Sequence, residues 1–413
     1  MLATPAPHPA PRPARSAAWR LTFATMLALA MGSGTFAGYA FGVLAPDLVR
    51  EFDVSRTELG LLTAAFFLVG GGLSRAAGRA TDRFGARRVM LVAFGVAAAA
   101  TLGMALAPAY PAMLAAAGLA GIALSTGNPV TNKLVAEHLP PGRRGLVMGG
   151  KQAGVQVGAF LAGAALAPLA AAIGWRAALG WSVAIPLGCI VATWLVIPSD
   201  PVRGRHPDGA SPSVLPSGVR WLAAYAFLMG SGVAAVNAYA PLYLVERGAA
   251  SQELAGTVVA TIGLVGIGSR MIWGWASERM ASFAGPLLVL GGLAAVAVAM
   301  FLAVERVGLW IAWPAAAVFG ASAVTWNAVG MLAVITASGR EQAGRATGVV
   351  TSAFYIGFVL SPVVFGWLVD RSGGYAPAWL LVVVTYLGAT LLIAGWRRSG
   401  GAEGARLVRE EVG

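Results

Sequence analysis

Three basic residues lie inside long apolar stretches of this sequence. Lys133 occurs in VTNKLV, Lys151 in GGKQAG and Arg270 in IGSRMI. A charge in such a setting costs enough free energy to suggest a functional role, and a guanidinium can hold a carboxylate through two parallel hydrogen bonds. Cations without an acidic partner would attract an anion. We therefore interpret Lys151 and Arg270 as the core of an anion site, with Lys133 in a secondary role.

A structural role is the alternative for each cation. Lys133 and Lys151 are the only lysines of the chain, and each is nine residues from Gly142 in a predicted turn. At that depth, either ammonium could extend to the membrane surface, and Lys151 could pair with Glu137. For Arg270, the alternative is to brace the loop that follows it.

Uncharged polar residues in the same stretches are candidates for the rest of the substrate site. Asn128 and Asn132 are one helical turn apart, and so are Gln152 and Gln156. Hydrogen bonding between helices is the competing role for all of these side chains. Further candidates on other stretches are Tyr39, Asn237, Trp326, Asn327 and Tyr355.

The sequence offers no arrangement typical of an enzyme. Its 17 acidic residues fall in tails, in loops or at the ends of apolar stretches, and so do its three histidines. We find no metal-ligand cluster, no paired carboxylates and no nucleophile beside a base. Cys189 is the only cysteine, which excludes an intrachain disulfide and a cysteine-based zinc site. We expect no catalytic residue, no metal and no cofactor.

The apolar stretches that carry these residues are long enough to cross a membrane. Hydrophobic residues make up 58% of the chain and charged residues 11%, whereas a soluble domain carries about 25% charge. About 20 apolar residues in a helix span the hydrocarbon core. Twelve spans are predicted, near residues 21–45, 59–77, 89–107, 112–136, 146–173, 177–197, 221–244, 254–275, 286–304, 309–335, 346–369 and 376–396.

A polar segment rich in Pro, Gly and Ser divides these spans into two groups of six, and it has the composition of a flexible linker. The groups also repeat, because Thr126 and Asn128 recur as Thr325 and Asn327 at one offset. We predict an all-α membrane protein of two pseudo-symmetric six-helix bundles. The predicted divisions are a basic tail at 1–20, bundles at 21–197 and 221–396, a linker at 198–220 and a tail at 397–413.

The net charge of +12 fits membrane topology better than a nucleic-acid partner. Most basic residues fall in tails and loops on one predicted side, as the positive-inside rule requires of the cytoplasmic side. We therefore expect a multi-pass protein of the cell inner membrane, surrounded by the lipid bilayer, with both termini in the cytoplasm.

The segment between the second and third spans reads GRATDRFGARR. Gly78 would let a neighbouring helix approach closely, and Gly85 would allow a tight turn. Asp82 would precede the third span, where the helix dipole favours a carboxylate. The segment contains four arginines, Arg79, Arg83, Arg87 and Arg88, of which the last three are gate candidates. The second half repeats the glycine, acid and arginine at Gly274, Glu278 and Arg279.

This segment resembles the signature G-x-x-x-D-R-x-G-R/K-R/K of the major facilitator superfamily, which lies between the second and third helices of those transporters. The resemblance implies two bundles that alternate between inward- and outward-facing states, with substrate near the midplane and the loop residues in the gate. It also implies that the fifth and eighth helices face each other, which would bring Lys151 and Arg270 to one cavity.

The segment SRMIWGWASER resembles the eighth helix of monocarboxylate and oxalate-type carriers, whose arginine engages the substrate carboxylate, and Arg270 stands at that place. The fourth and fifth spans, in contrast, lack the arginine and the Gly-Pro pair of the antiporter signature of drug exporters. We therefore predict a secondary transporter of a small organic anion, a carboxylate or related acid, acting as a monomer.

An exporter of drugs or metabolites is the alternative within this class, and a membrane sensor that binds without transport is a more remote one. Symport with a proton is one route for coupling, with the proton on the substrate, on Glu137, on His138 or on a lysine. Exchange of one anion for another would need none of these residues.

Overall fold

The computed structural model describes residues 17–138, 144–197, 216–277 and 282–399. Within these ranges it contains twelve helices that are long and apolar enough to cross a membrane, which confirms the predicted fold class. We number them in chain order. The first six are α1 (Leu21–Val43), α2 (Arg56–Phe84), α3 (Ala86–Ala105), α4 (Tyr110–Val135), α5 (Gly150–Ile173) and α6 (Trp175–Val196). The second six are α7 (Ser217–Glu246), α8 (Gln252–Ala276), α9 (Ala284–Leu302), α10 (Leu309–Ser338), α11 (Gln342–Ser372) and α12 (Ala376–Arg398).

Local sequence signals set several helix boundaries. Ser55 caps α2 in a reciprocal capping box with Glu58, which satisfies N–H groups that a helix start leaves open. Gly85, with φ of 88°, is the one residue between α2 and α3. Gly174 (φ 84°) separates α5 from α6, and its repeat mate Gly373 (φ 68°) follows α11. Glycine carries no Cβ penalty at such angles, which explains why these turns are short.

Three spans depart from a regular α-helix. Helix α5 contains a π-helical turn at Ala162–Leu166, and α6 consists of two helices that meet at Val183. Helix α10 ends at Ala321 and resumes at Trp326. Helical structure then continues into α11. The chain reverses direction between α10 and α11, as the distance of only 5.4 Å between the ring centroids of Trp326 and Phe354 shows.

Glycines allow the two halves to pack closely. A Cβ on Gly163 of α5 would lie 2.3 Å from the carbonyl oxygen of Gly256 in α8. A Cβ on Gly60 of α2 would lie 2.5 Å from the carbonyl oxygen of Pro362 in α11. Small residues at such crossings bring backbones into contact. The pairs α2–α11 and α5–α8 therefore form the core of the contact between halves.

We call the face of the bundle that carries Gly85 the motif face, and the other end, where α2 begins, the opposite face. On the opposite face, α2 of the first half is bound by α7 and α11 of the second. We call this group the latch. Its members are Arg56, Thr57, Tyr239, Glu246, Asp370 and Tyr375.

Charge pairing and hydrogen bonds hold the latch closed. The Arg56 Nη2 lies 2.5 Å from Glu246 Oε1, and the Tyr375 hydroxyl donates to Glu246 Oε2 at 2.7 Å. Asp370 accepts from the backbone N–H groups of Arg56 (3.0 Å) and Thr57 (2.8 Å). The Tyr239 hydroxyl lies 2.6 Å from the Arg56 carbonyl oxygen. The halves are thus joined on the opposite face.

Candidate functional site

Lys151 of α5 is fully buried between helices. Its ammonium donates to Thr131 Oγ1 at 2.9 Å, to Asn128 Oδ1 at 3.4 Å and to Asn132 Oδ1. All three acceptors belong to α4, where they follow one another at helical spacing and so share a face. An ammonium has three N–H donors, so these neutral oxygens can hold the lysine in place without a carboxylate.

Arg270 of α8 is nine-tenths buried. Its Nε and Nη2 donate to the carbonyl oxygen of Val324 at 3.1 and 2.8 Å. Its Nη1 donates to the carbonyl oxygen of Gln152 at 2.7 Å. Val324 belongs to α10 in the same half, whereas Gln152 belongs to α5 in the other half. The guanidinium therefore links the two halves through backbone atoms alone.

Gln152 connects the surroundings of the two cations. Its side chain donates from Nε2 to Asn128 Oδ1 at 3.2 Å, and Asn128 also accepts from Lys151. Its backbone carbonyl accepts from Arg270. Asn128, Lys151, Gln152 and Arg270 thus form one connected set, which we call the polar cluster together with Thr131 and Asn132. The structure brings together the two cations that the sequence singled out.

Neither cation of the polar cluster has an acidic partner in the part of the chain that the structure describes. Among the described residues, no carboxylate lies within 4.0 Å of Lys151 or Arg270. Their hydrogen-bond partners are amide, hydroxyl and carbonyl oxygens, which orient the charges but do not neutralise them. A buried charge that has no counter-charge is costly. An anion placed against the cluster would offset that cost.

Tyr39 and Gln156 extend the site toward α1. The Tyr39 hydroxyl donates to Gln156 Oε1 at 3.2 Å, and Gln156 is fully buried. Within the described part of the chain, Gln156 Nε2, Trp326 Nε1 and Asn327 Oδ1 are buried atoms without a hydrogen-bond partner. Such atoms are rare in native proteins. They are polar groups that a ligand can use.

Three predicted site residues lie away from the polar cluster. The ring centroids of Tyr355 and Phe67 lie 5.7 Å apart in the α2–α11 contact, and the backbone of Asn237 meets Gly42 of α1. Lys133 donates from Nζ to the Thr81 carbonyl oxygen at 2.8 Å. Its side chain leaves α4 about 100° away from that of Asn132 and so reaches α2 instead of Lys151.

In the segment GRATDRFGARR, which we call the loop motif, Asp82 and Gly78 do not have the roles that we predicted from the sequence. Asp82 does not lie at the N-terminus of α3, where Gly85 is the N-cap residue; it lies in the last turn of α2, which continues to Phe84. The helix dipole disfavours a carboxylate there, and Lys133 Nζ, 3.6 Å from Asp82 Oδ1, supplies the compensating charge. A Cβ on Gly78 would meet no heavy atom within 4 Å, so close helix approach does not explain that glycine.

The remaining motif residues occupy varied places. The Arg83 guanidinium lies 5.1 Å from the centroid of the Phe84 ring, and Arg87 Nη2 donates to the Trp194 carbonyl oxygen of α6 at 2.7 Å. Arg88 is exposed. Gly274, like Gly78, has open space around its Cα. Glu278 and Arg279 lie outside the described residues.

Two contributors to the site were missed from the sequence. Thr131 carried a usable signal, since its hydroxyl stands three residues after Asn128 on the same helical face. The Val324 carbonyl carried none, because any residue has a carbonyl and the side chain is apolar. Only the interruption of α10 makes that oxygen available.

The chain matches the model of the Major Facilitator Superfamily over residues 26–362. It belongs to that superfamily. Membership identifies a multi-pass membrane transporter of a small molecule and not an enzyme. The superfamily match extends across both halves, in agreement with the repeat of spans seen in the fold.

Named relatives cover the chain to different extents. A probable sulfoacetate transporter, SauU of Cupriavidus necator, is 24% identical over 81% of this chain and 83% of its own length. The 4-hydroxybenzoate transporter PcaK of Pseudomonas putida is 26% identical over 62% of this chain and 59% of its own. A gallate transporter of Pseudomonas putida is 30% identical, but the match spans only 38% of this chain and 35% of that protein.

Solved structures share the fold. A bacterial homolog to the human lysosomal transporter Spinster, in an inward-facing and occupied conformation, superposes with a TM-score of 0.76 at 16% identity. That match covers 96% of this chain and 100% of the other. A mutant of the nucleoside transporter NupG gives a TM-score of 0.73 at 12% identity, over 90% and 99% of the two chains. At such identities the likeness concerns the fold alone.

Proposed function

We propose that this protein carries a small organic anion across the cell inner membrane by alternating access of its two halves. Arg270 and Lys151 bind the anionic group, and the neighbouring polar groups of Gln152, Gln156, Asn327 and Tyr39 bind the remainder. One observation carries the proposal: two buried cations, one from each half, meet at Gln152 with only neutral oxygens around them.

Arg270 is the primary contact in this proposal. A guanidinium has five N–H donors, and backbone carbonyls take three of them. Two N–H groups of the guanidinium remain, and a carboxylate that binds bidentately accepts two such hydrogen bonds. Lys151 has its three donors engaged, so it contributes its positive charge, or exchanges the longest of its bonds, the 3.4 Å bond to Asn128. Lys133 is assigned to the loop motif through Asp82.

The names of the relatives support an acidic cargo. Sulfoacetate, 4-hydroxybenzoate and gallate are all organic acids, and the proteins named for them match 81%, 62% and 38% of this chain. A site of two cations and no carboxylate has the charge that such cargo requires. Proton symport with the acid and exchange for a second anion are both compatible with it.

The arrangement of the halves supports access from the motif face. The latch joins the halves on the opposite face, whereas within the cluster Asn128 is partly exposed and Asn132, one turn closer to the motif face, is exposed. We assign the motif face and both termini to the cytoplasm, since the basic residues of the loop lie there. Transport then requires the latch to open and the motif face to close.

Thermal unfolding of the purified protein tests this proposal. The compounds are gallate, 4-hydroxybenzoate and sulfoacetate, with glucose as a neutral and tetraphenylphosphonium as a cationic comparison. A compound that binds the folded state raises the apparent unfolding temperature. We expect at least one acid to do so in the wild type and in the Arg176→Ala control, whose arginine lies on the opposite face, but not in Arg270→Ala.

Two outcomes would replace this proposal. Stabilisation by the cationic or neutral compound that persists in Arg270→Ala would favour an exporter of drugs or metabolites. Stabilisation by an acid that is never taken up into proteoliposomes, under an anion gradient or a proton gradient, would favour a sensor that binds without transport.

A further inference from the structure

Helix α10 is interrupted beside Arg270. It is helical from Ala312 to Ala321 and again from Trp326, and residues 322–325 form turns. The interrupting residues are Ser, Ala, Val and Thr, so neither proline nor glycine lies within the break. Irregular backbone at membrane depth is tolerated only where other groups satisfy it. The groups that satisfy the backbone at this break therefore help to hold it.

Hydroxyl groups take over the hydrogen bonds that the break leaves open. The Thr325 Oγ1 donates to the Gly320 carbonyl oxygen at 2.9 Å, and the Ser322 Oγ donates to the Val318 carbonyl oxygen at 2.6 Å. The backbone N–H of Ala328 bonds to Thr325 at 2.9 Å. In a regular helix, that N–H would bond to Val324 instead. The Val324 carbonyl is thereby released from the helix.

The released carbonyl fixes the orientation of the Arg270 guanidinium. Two of its nitrogens, Nε and Nη2, donate to this one oxygen. Two bonds from one planar group define the direction of the plane, which a single bond would not do. The third bond, from Nη1 to Gln152, reaches the other half. The remaining N–H groups, one on each Nη, are thus held in fixed positions.

The first half of the protein lacks both features. The repeat mate of Thr325 is Thr126 in α4, which is continuous from Tyr110 to His138, and the Thr126 hydroxyl donates to the Ala123 carbonyl oxygen at 2.8 Å within that helix. In the register of the loop motif, the mate of Arg270 is Ser74, whose hydroxyl bonds to its own helix. The break and the buried arginine therefore occur together in the second half, and the described residues at the matching positions of the first half have neither.

We propose that Thr325 is a positioning residue for the transported anion: it holds the break in α10 and so frees the Val324 carbonyl that orients Arg270. This inference rests on the proposed function of Arg270 as the anion contact. Without the Thr325 hydroxyl, the Gly320 carbonyl loses its partner, and a regular helix that engages both Gly320 and Val324 becomes the better arrangement. Arg270 then loses its two-point support.

The test compares Thr325→Val, Thr325→Ser and the matched control Thr126→Val. Valine keeps the branched shape and removes the hydroxyl, and serine keeps the hydroxyl. Equilibrium binding of 4-hydroxybenzoate and of sulfoacetate is measured by calorimetry for each variant. We expect Thr325→Val to weaken binding about tenfold relative to wild type, with Thr325→Ser and Thr126→Val within about twofold.

Hydrogen exchange of the peptides covering 320–330 and 121–131 supplies a readout that needs no ligand. We expect slower exchange in 320–330 for Thr325→Val, because regular helical bonds replace the break, and no change in 121–131. A folded Thr325→Val protein with unchanged exchange and unchanged affinity would overturn the inference. Failure of Thr325→Ser to retain binding would also overturn it, since the hydroxyl is then not the cause.

The two proposals fail in different ways. If 4-hydroxybenzoate, sulfoacetate and gallate all fail to bind the wild type, the proposed anion transport is wrong. The role of Thr325 in anion binding is then wrong as well, whatever the hydrogen-exchange result. If an acid binds the wild type and Thr325→Val equally, the anion function stands and only the positioning role is wrong.

Discussion

The latch and the polar cluster both join the two halves, but they treat charge in opposite ways. In the latch, Arg56 meets Glu246, and Asp370 meets the open N–H groups at the start of α2. In the polar cluster, Lys151 and Arg270 meet only neutral oxygens. The latch is therefore complete by itself, whereas the cluster retains positive charge that only an added anion can offset.

Exposure sharpens this difference. The side chains of Arg56 and Glu246 are 29% and 26% exposed, so water and salt weaken their attraction, and ion pairs of this kind contribute about 1 kcal/mol or less. In the proposed transport cycle, breaking this ion pair would therefore cost little. Lys151 and Arg270 are shielded from water, so their interaction with an anion is stronger. Substitutions in the two regions can test this contrast, and the largest effect is expected at Arg270.

Replacing Arg270 by lysine should nearly abolish transport. Lysine keeps the charge, but its ammonium lacks the planar set of five donors. It cannot bond to the carbonyls of Val324 and Gln152 and also offer two parallel hydrogen bonds to the anion. Loss of a buried charged contact costs about 3 kcal/mol, which corresponds to more than about 100-fold in kcat/KM for uptake into proteoliposomes. Arg371→Lys, at an exposed position near the latch, is the control. Uptake near the wild-type level in Arg270→Lys would show that the guanidinium is structural.

The two lysines should behave differently. Lys151→Met removes a buried charge from the cluster, and we expect affinity for the stabilising acid to fall about tenfold. Lys133→Met is the matched control, because its ammonium lies at Asp82 and not at the cluster. Calorimetric titration of both variants measures the difference. An equal loss in the two would place Lys133 in the anion site and contradict its assignment to the loop motif.

Weakening the latch should favour opening of the opposite face. Asp370→Asn removes the carboxylate that faces the positive end of the α2 dipole, an interaction worth about 1 kcal/mol. We expect about fivefold faster maleimide labelling of Asn237→Cys, near the closed contact with Gly42, in a Cys189→Ser background. Asp53→Asn is the control, since asparagine also tolerates the left-handed conformation of that residue. Unchanged labelling would mean that Asp370 does not hold the face closed.

The smallest effect concerns an ion pair within one half. Burial acts to raise the pKa of Glu51, but hydrogen bonds from Trp175 and Arg176 and the charge of Arg176 outweigh it and hold this pKa below its usual range. The pair therefore stabilises the fold above the unfolded pKa of about 4.3 and loses that contribution as the pH falls through the lower folded pKa.

We expect Glu51→Gln to reduce stability by about 1 kcal/mol or less at pH 7, because both partners are partly exposed. The difference from wild type should shrink as the pH falls below about 4. Thermal unfolding at several pH values measures it, with Glu305→Gln as the control. A difference that grows at low pH would show that the carboxylate is not stabilised by its partners.

The sequence by itself determined the number of spans, their division into halves and the presence of buried cations. These properties depend on local composition, because a stretch of about 20 apolar residues crosses a membrane whatever it later contacts. The sequence likewise places its acidic residues in tails, in loops or at span ends, and this distribution is one basis for proposing an anionic cargo. Membership of a transporter family agrees with these predictions.

Tertiary structure decided which polar groups meet. Lys133 and Lys151 are of the same residue type and have similar predicted depths. The direction in which each side chain leaves its own helix places Lys133 beside Asp82 and Lys151 beside Asn132. Asp82 was expected at the N-terminus of α3 and lies instead in the last turn of α2, because helix ends depend on hydrogen bonds that residue types do not fix. The oxygen that orients Arg270 belongs to an apolar residue. The break in α10 withdraws the Ala328 N–H from the Val324 carbonyl and leaves that oxygen to Arg270, and no residue type in the sequence indicates such a break.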